Sequence, residues 1–470
     1  MKENTYDMGL VGLGVMGCNL ALNVADHGFS VLGLDRSEDK AAALRRHRSA
    51  TVPVDAITEP ESFLKALKSP KLVLFLVPAG EPVDAVIGEL RGLLAPGDIL
   101  IDGGNSHFKD TDRRQKALRE SGVSLLGMGV SGGEEGARRG PSLMPGGPRE
   151  AYDRARPILE AIAARAGGDP CVAYLGPGAV GHYVKMVHNG IEYALMQLLS
   201  ETYDLFKRGL GYDADRLART YAEWDRSEVS SFLVQITADI FRKTDPETGK
   251  QLVEMIVDAA RQKGTGKWTT EETINLQVPA PAIDQAVVMR DLSRLREERR
   301  RLSEVLPGPS PRFDGDPEAM ARALRDGFEV AMLLAYTQGF ALLREASRQY
   351  GYGLSCETVA RIWRGGCIIR ATMLEDIAQA FRAQPDLELL MASPAIARTL
   401  GAKHGALREV VRIAARCGIP APAFMASLGY YDGFRTANLP TNLTQAQRDY
   451  FGAHTYERLD RPGVFHTQWQ

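Results

Sequence analysis

A short apolar run, Met8-Gly-Leu-Val11, leads directly into Gly12-Leu13-Gly14-Val15-Met16-Gly17 and then into a helical pattern from Asn19 to Asp26. Strand, glycine-rich turn and helix in that order leave few folds open. The first glycine makes the tight turn, and the second lets backbone approach a pyrophosphate. The third lets the helix pack on the strand, so that the helix N-terminus faces the phosphates. A second strand, Val31-Leu-Gly-Leu34, ends in Asp35, 18 residues beyond Gly17, where dinucleotide folds carry the acid that reads a ribose. A glycine turn alone is weak evidence. With the second strand and its acid, it predicts a dinucleotide-binding domain.

The alternation of strand and helix continues to about residue 175. Further strands are expected at 71–77, 98–102, 124–130 and 171–175. Apolar runs separated by helices indicate a mostly parallel sheet covered on both faces. Three loops follow these strands: Pro78-Ala79-Gly80, Gly103-Gly-Asn105 and Ser131-Gly132-Gly133. Ligands of open α/β sheets bind at the carboxyl ends of strands, so these loops are where cofactor and substrate should meet. Each alone could be a simple turn. From residue 182 to about 435 the pattern is helical, with stretches such as 192–210, 252–262, 319–348 and 407–417. The charged run 290–301 reads as a solvated helix face, with Arg290 at a buried start. The fold class expected is therefore an α/β Rossmann-type domain (1–178), a large all-α domain (179–436) and a C-terminal tail (437–470). That tail carries Tyr450, Phe451, His454, Tyr456, Phe465 and Trp469, too many aromatics for a frayed end. It should dock on its own body or on a second subunit.

Within the helical part, Lys185, His188, Asn189, Glu192 and Tyr193 fall at i, i+3, i+4, i+7 and i+8. At about 100° per residue they share one arc of roughly 140°. Val184, Met186, Val187, Ile191 and Leu195 occupy much of the rest, so the helix reads as buried. Polar groups turned to one wall of a buried helix cost stability unless they find partners. A proton-moving site would use such a wall, and so would a purely structural polar network.

Composition narrows the classes. The chain has 470 residues, 44% hydrophobic and 25% charged, with net charge −2. That balance argues against nucleic acid as a partner, so an anionic substrate must be met by locally placed cations. Five scattered cysteines (18, 171, 356, 367, 417) without a C-x-x-C fit reduced thiols in a cytoplasm. No signal peptide, membrane span or metal site is expected.

Longer motifs join these: DGGN at 102–105, GVSGGEEGAR at 129–138, GPSLMPGG at 140–147, HYVKMVHNGIEY at 182–193, QKGTGKWT at 262–269, WRGGCIIR at 363–370 and RDYFGAHTYER at 448–458. With GLGVMG at 12–17 and in this order, they resemble the decarboxylating 6-phosphogluconate dehydrogenases of the β-hydroxyacid dehydrogenase superfamily, over essentially the whole chain. The resemblance implies a pentose phosphate pathway enzyme. It would oxidise 6-phosphogluconate to ribulose 5-phosphate and carbon dioxide with NADP, without a metal, as a homodimer. It implies that Lys185 takes the C3 hydroxyl proton and that Glu192 protonates C1 of the enediol. Asn105, Ser131, Gly132, Gly133, His188 and Asn189 would hold the substrate's carboxylate and hydroxyls. Tyr193, Lys263, Arg290 and Arg448 would hold its phosphate. His454 would reach the opposite subunit's site from the tail. The cofactor would lie along 12–17, Asp35, Arg36, Ser37, Val77, Pro78, Ala79 and Asn105.

Two positions depart from the family pattern. NADP-using members usually carry Asn-Arg-Thr/Ser after the second strand, whereas this chain has Asp35-Arg36-Ser37; a carboxylate there can bond a ribose diol and repel a 2′-phosphate, which admits NAD. Pro78 stands where a lysine is common. Two rival readings are a non-decarboxylating β-hydroxyacid dehydrogenase acting on another sugar acid and a catalytically silent nucleotide sensor. Lys263, Arg290, Arg448 and His454 together argue against the first, and intact Lys185 and Glu192 against the second.

Overall fold

The structure, a computed structural model, describes residues 5–46 and 52–469. Seven strands form one sheet: β1 Met8–Val11, β2 Val31–Leu34, β3 Val54–Ile57, β4 Leu72–Phe75, β5 Ile99–Asp102, β6 Ser124–Ser131 and β7 Ser142–Gly146. Their order is β3-β2-β1-β4-β5-β6-β7. All neighbours pair in parallel except β6 and β7. Side chains alternate between two cores, as a sheet covered on both faces requires. Leu72 and Leu74 join Met8, Leu10 and the helix Val15–Asp26 on one face. Val73 and Phe75 join Phe63, Val83 and Ile87 on the other. The strand order reverses between β1 and β4, and a crevice opens there.

Two parts of this sheet differ from expectation. The strand β3 gives too short a signal to be read from sequence, with only Ala56 of its four residues fully buried. The expected strand 171–175 is not a member of the sheet. The antiparallel β7 takes the place beside β6, and 171–175 runs along its outer edge. Leu143 N–H donates to Cys171 carbonyl at 2.9 Å and Leu175 N–H to Pro145 carbonyl at 3.1 Å. Pro145 has no N–H for the bond between those two, so the ladder stops at a single bridge.

The helical part is built around Val180–Asp204, with nearly every residue from Val180 to Leu195 buried. Pro317–Tyr350 lies along it, buried from Gly327 to Phe340. Thr265–Asn275 and Pro281–Arg294 pack on its other sides. The expected helix 252–262 shrinks to Leu252–Met255. Met255, Ile256 and Val257 are exposed, so the apolar stripe has no core of its own chain to bury into. The run 290–301 is not one helix: it breaks at Leu295 between Pro281–Arg294 and Arg296–Val305. Arg290 is half-buried near the end of the first helix, not at a buried start. Among the described residues no helix is long and apolar enough to cross a membrane.

The tail is a helix, Thr441–Gly452, followed by a two-stranded hairpin pairing Tyr456–Glu457 with Val464–Phe465. It folds around buried Asp449, whose carboxylate accepts from Thr455 N, Thr467 N, Trp469 Nε1 and His466 Nδ1 at 2.9–3.1 Å. Leu443, Phe451 and Leu459 face solvent.

Candidate active site

The glycine loop closes where β1 ends. A Cβ on Gly17 would sit 1.9 Å from the Gly12 carbonyl oxygen, so helix Val15–Asp26 can start there only with glycine. At Gly14 nothing lies within 4 Å, and the helix N-terminus has no side-chain cap and no acidic residue in its first turn. Its free N–H groups and positive dipole end are thus left for an anion. Beside it lies a cleft of about 580 Å³ lined by Val11, Gly12, Asp35, Arg36, Ser37, Val77 and Pro78, together with Lys40, Pro82 and Glu89. Ala79 and Asn105 are exposed at the same carboxyl edge. These residues fit a dinucleotide, with pyrophosphate on the helix and adenosine ribose near Asp35.

Asp35 is more engaged than its place at the strand end suggests. Its Oδ2 accepts from Leu13 N at 2.8 Å and its Oδ1 from Ser37 N at 2.9 Å, while Lys40 Nζ lies 3.5 Å from Oδ2. Arg36 in turn pairs with Glu89 at 3.3 Å. Two carboxylates therefore already face the two cations of this corner. Neither Lys40 nor Glu89 belongs to a motif; a lysine in the first turn of the helix that follows Asp35 is the signal the sequence offers.

The polar wall of Val180–Asp204 lies at the carboxyl end of β6. A Cβ on Gly129 would be 2.4 Å from Cβ of Lys185, so the bare backbone of β6 is what lets the lysine stem lie against the sheet. Lys185 Nζ donates to Asn189 Oδ1 at 2.8 Å and lies 3.3 Å from His188 Nδ1. His188, fully buried, meets Ser131 Oγ through Nε2 at 3.2 Å, and its Nδ1 lies 3.7 Å from Glu192 Oε2. Burial lowers the pKa of Lys185, with Glu192 opposing. Burial likewise raises Glu192, opposed by Lys185 and Arg290. His188 is held well below an ordinary imidazole by burial and then by the Lys185 charge. A lysine drawn toward a neutral amine and a carboxyl drawn toward its acid form make a base and an acid on one wall.

The loop Ser131-Gly132-Gly133 turns under this wall. Gly132 has φ 129°, a conformation an L side chain rarely adopts, and its open side faces the Gly366 carbonyl. The WRGGCIIR segment thus closes the site from behind. Trp363 meets His188 edge-on at 5.5 Å, and Ile368 N reaches Ser131 Oγ at 3.4 Å. Nothing in the sequence singles out a role for Trp363, Cys367 or His182. His182 is wholly buried and ties the Asp102–Asn105 loop to the lysine helix: Nε2 donates to the Asp102 carbonyl at 3.0 Å and Nδ1 accepts from Thr111 Oγ1 at 2.7 Å.

On the far side, the Arg290 guanidinium stacks 3.3 Å over the Tyr193 ring and bonds the Arg261 carbonyl, two residues from Lys263. The Arg290 charge thus sits over the residue next to the acid, close enough to oppose the rise in the pKa of Glu192. Lys263 itself is exposed. Arg448 and His454 are not brought to this wall; their partners, Gln445 and Phe451, belong to the tail itself.

Comparison with known proteins covers both parts of the chain. Residues 7–176 match the NAD binding domain of 6-phosphogluconate dehydrogenase, and residues 181–469 match the 6-phosphogluconate dehydrogenase C-terminal domain. A decarboxylating 6-phosphogluconate dehydrogenase of Synechococcus elongatus is 51% identical over 464 residues, 98% of each chain. An NADP(+)-dependent, decarboxylating one of Bacillus subtilis is 48% identical over 463 residues, again 98% of each. The Plasmodium falciparum 6-phosphogluconate dehydrogenase, solved in its apo form and with NADP+ or 6-phosphogluconate, is similar at TM-score 0.94 and 42% identity. That match covers 98% of this chain and all of the other.

Proposed function

The chain belongs to the 6-phosphogluconate dehydrogenase family, and from that premise we propose how its own residues carry out the reaction. It is an NADP-dependent oxidoreductase that converts 6-phosphogluconate to ribulose 5-phosphate and carbon dioxide, a step of the pentose phosphate pathway. The observation that carries the residue assignment is the buried cluster of Lys185, His188, Asn189 and Glu192 against Ser131, at the sheet edge that also bears the dinucleotide cleft.

NADP, bound along 12–17 and 35–37, supplies the acceptor for the C3 hydride. Lys185, whose pKa burial lowers, takes the C3 hydroxyl proton. As an ammonium it gives that proton to the C3 oxygen while the C1–C2 bond breaks, so the released electron pair flows into a neutral enediol, and it takes the proton back when the C3 hydroxyl becomes the product's carbonyl. Glu192, whose pKa burial raises, gives its proton to the carbon that lost carbon dioxide. Asn105, Ser131, Gly132, Gly133, His188 and Asn189 orient carboxylate and hydroxyls. Tyr193, Lys263 and Arg290 take the phosphate end, where a guanidinium suits a dianion.

The rest of the phosphate site comes from a second copy of the chain. The tail's exposed Leu443, Phe451 and Leu459 and its self-contained fold around Asp449 support a homodimer in which Arg448 and His454 enter the partner's site. The helix starting at Val180 and the one ending at Arg435 support domain limits at 178 and 436. We also infer a cytoplasmic location, from five cysteines that are all unpaired.

Initial rates with 6-phosphogluconate and with unphosphorylated gluconate test the substrate: turnover of both alike would refute the phosphate corner. For the tail, removing residues 445–470 should abolish activity, and mixing that chain with Lys185→Met should restore part of it. Heterodimers that form and stay inactive would mean that each tail serves its own subunit.

A further inference from the structure

Each turnover leaves the two proton-carrying groups in the wrong state for the next. Lys185 begins as an amine and ends holding the proton from the C3 hydroxyl. Glu192 begins as an acid and ends as a carboxylate, its proton on the product. The reaction consumes and releases no net proton, so before the next substrate Lys185 must lose one proton and Glu192 must gain one. Among the described residues the two make no direct ion pair, and Lys185 is only 6% exposed.

One atom lies within reach of both. His188 Nδ1 is 3.3 Å from Lys185 Nζ and 3.7 Å from Glu192 Oε2, on a ring that is wholly buried and held through Nε2 by Ser131 Oγ at 3.2 Å. We infer that His188 is the proton relay that resets the enzyme between turnovers, in addition to any contact it makes with substrate. The ammonium of Lys185 gives a proton to Nδ1, forming an imidazolium whose Nε2–H is held by Ser131. Nδ1 then gives its proton to Glu192. The amine, the neutral ring and the carboxylic acid are restored, with no atom gained or lost.

The surroundings ease that transfer. The groups facing the ring are Lys185, Glu192, Asn189, Ser131 and the edge of Trp363. Between an ordinary ammonium and an ordinary carboxylate the transfer would run strongly uphill. Burial weakens the hold of Lys185 on its proton and strengthens that of Glu192, so the gap narrows from both ends. The imidazolium is short-lived for the same reason: burial and the Lys185 charge disfavour it. Separations of 3.3 and 3.7 Å are longer than the roughly 2.6–3.2 Å of a working proton transfer, as catalytic contacts in ligand-free sites commonly are, and a small side-chain rotation closes them.

The inference rests on Lys185 as base and Glu192 as acid, and the test keeps the two separable. Stopped-flow NADPH formation in His188→Gln and His188→Asn is compared with steady-state turnover at saturating 6-phosphogluconate, after thermal melts and NADP titration have confirmed folded protein. A broken relay slows the later turnovers more than the first, over and above what a lost substrate contact costs both. The ratio of first-turnover to steady-state rate should rise roughly ten-fold or more over wild type, within the span that proton-transfer groups contribute. Steady-state turnover of the variants, unlike wild type, should also increase with formate or imidazole concentration at fixed pH and ionic strength. An unchanged ratio and no buffer response in both variants would overturn the relay and leave His188 a binding residue. Normal product formation by Glu192→Gln would instead remove the acid, and with it the premise, whatever the His188 variants do.

Discussion

The helix Val180–Asp204 carries two largely buried glutamates that live in opposite circumstances. Glu192 is 21% exposed at the side chain, and its nearest cation-forming neighbour is the His188 ring at 3.7 Å. Glu201 is 2% exposed and fully occupied: it accepts from Ala423 N at 2.9 Å, Phe424 N at 3.0 Å and Gln197 Nε2 at 3.0 Å. It thereby caps the helix Pro422–Arg435, whose first N–H groups would otherwise be orphaned. Both carboxyls have raised pKa values because burial disfavours their charge. The role proposed for Glu192 draws on its raised pKa, whereas that of Glu201 is a by-product of architecture. What separates them is whether the oxygens are already spent on fixed donors.

That contrast can be broken most severely at the lysine. Lys185→Met should cost on the order of 10²–10⁴ in turnover. Stability should hold or rise, since an apolar chain of similar length replaces a buried amine. Initial rates and thermal melts read both, and a Met variant with near-normal turnover would sink the assignment. Glu192→Gln should lose less, about 10²-fold at the lower end of that range, again with little change in melting temperature. The wild-type pH profile of kcat/KM should be bell-shaped. Activity falls on the acid side as Lys185 gains a proton and on the alkaline side as Glu192 loses one. The acid limb should lie below an ordinary lysine titration and the alkaline limb above an ordinary glutamate's.

Glu201→Gln should show the reverse pattern: turnover close to wild type and stability reduced by about 1–3 kcal/mol, because one donor of the capped helix loses its acceptor. The folded pKa of Glu201, about 7, lies above its ordinary 4.5. Protonation therefore contributes stability that is complete below pH 4.5 and lost as pH rises through 7. The wild type should lose stability over that interval and the Gln variant should not, so denaturant melts at pH 5 and pH 8 would converge. Parallel curves would show that Glu201 does not titrate there.

Asp35 sharpens the comparison with the smallest effect. Like Glu201 it is occupied, by Leu13 N, Ser37 N and Lys40. Its charge is already answered, so Asp35→Asn should change the NADP-to-NAD ratio of kcat/KM by less than about five-fold, as paired and partly exposed charges are worth about 0–1 kcal/mol. A swing well beyond ten-fold would mean that the carboxylate turns to the ribose when the cofactor binds.

Much of this molecule was legible in its residues because two periodicities are local. The strands β1, β2, β4, β5 and β6 stand out as apolar runs, and the glycines at 12, 14 and 17 announce the turn by what their missing side chains permit. The wall from Lys185 to Glu192 follows from 3.6 residues per turn alone. Local pattern failed where the partner decided: 171–175 reads as a strand, yet Pro145 on its neighbour ends the ladder, and 252–262 reads as a helix without a core to bury its stripe.

The amino-acid sequence by itself thus determined the dinucleotide fold, the helical second part and which side chains share the reactive wall, since each depends on neighbours within a turn or a strand. Tertiary structure alone decided which polar groups are spent and which are left free. Glu192 and Glu201 lie on one helix, and nothing near either in the chain reveals that Ala423 and Phe424 come to cap only the second. Asp35 sits at the expected strand end, but its engagement with Leu13 and Lys40 comes from how the loop and the next helix fold back onto it. A buried group's free energy is set by the donors and charges within a few ångströms, and those arrive from distant segments only when the chain has closed.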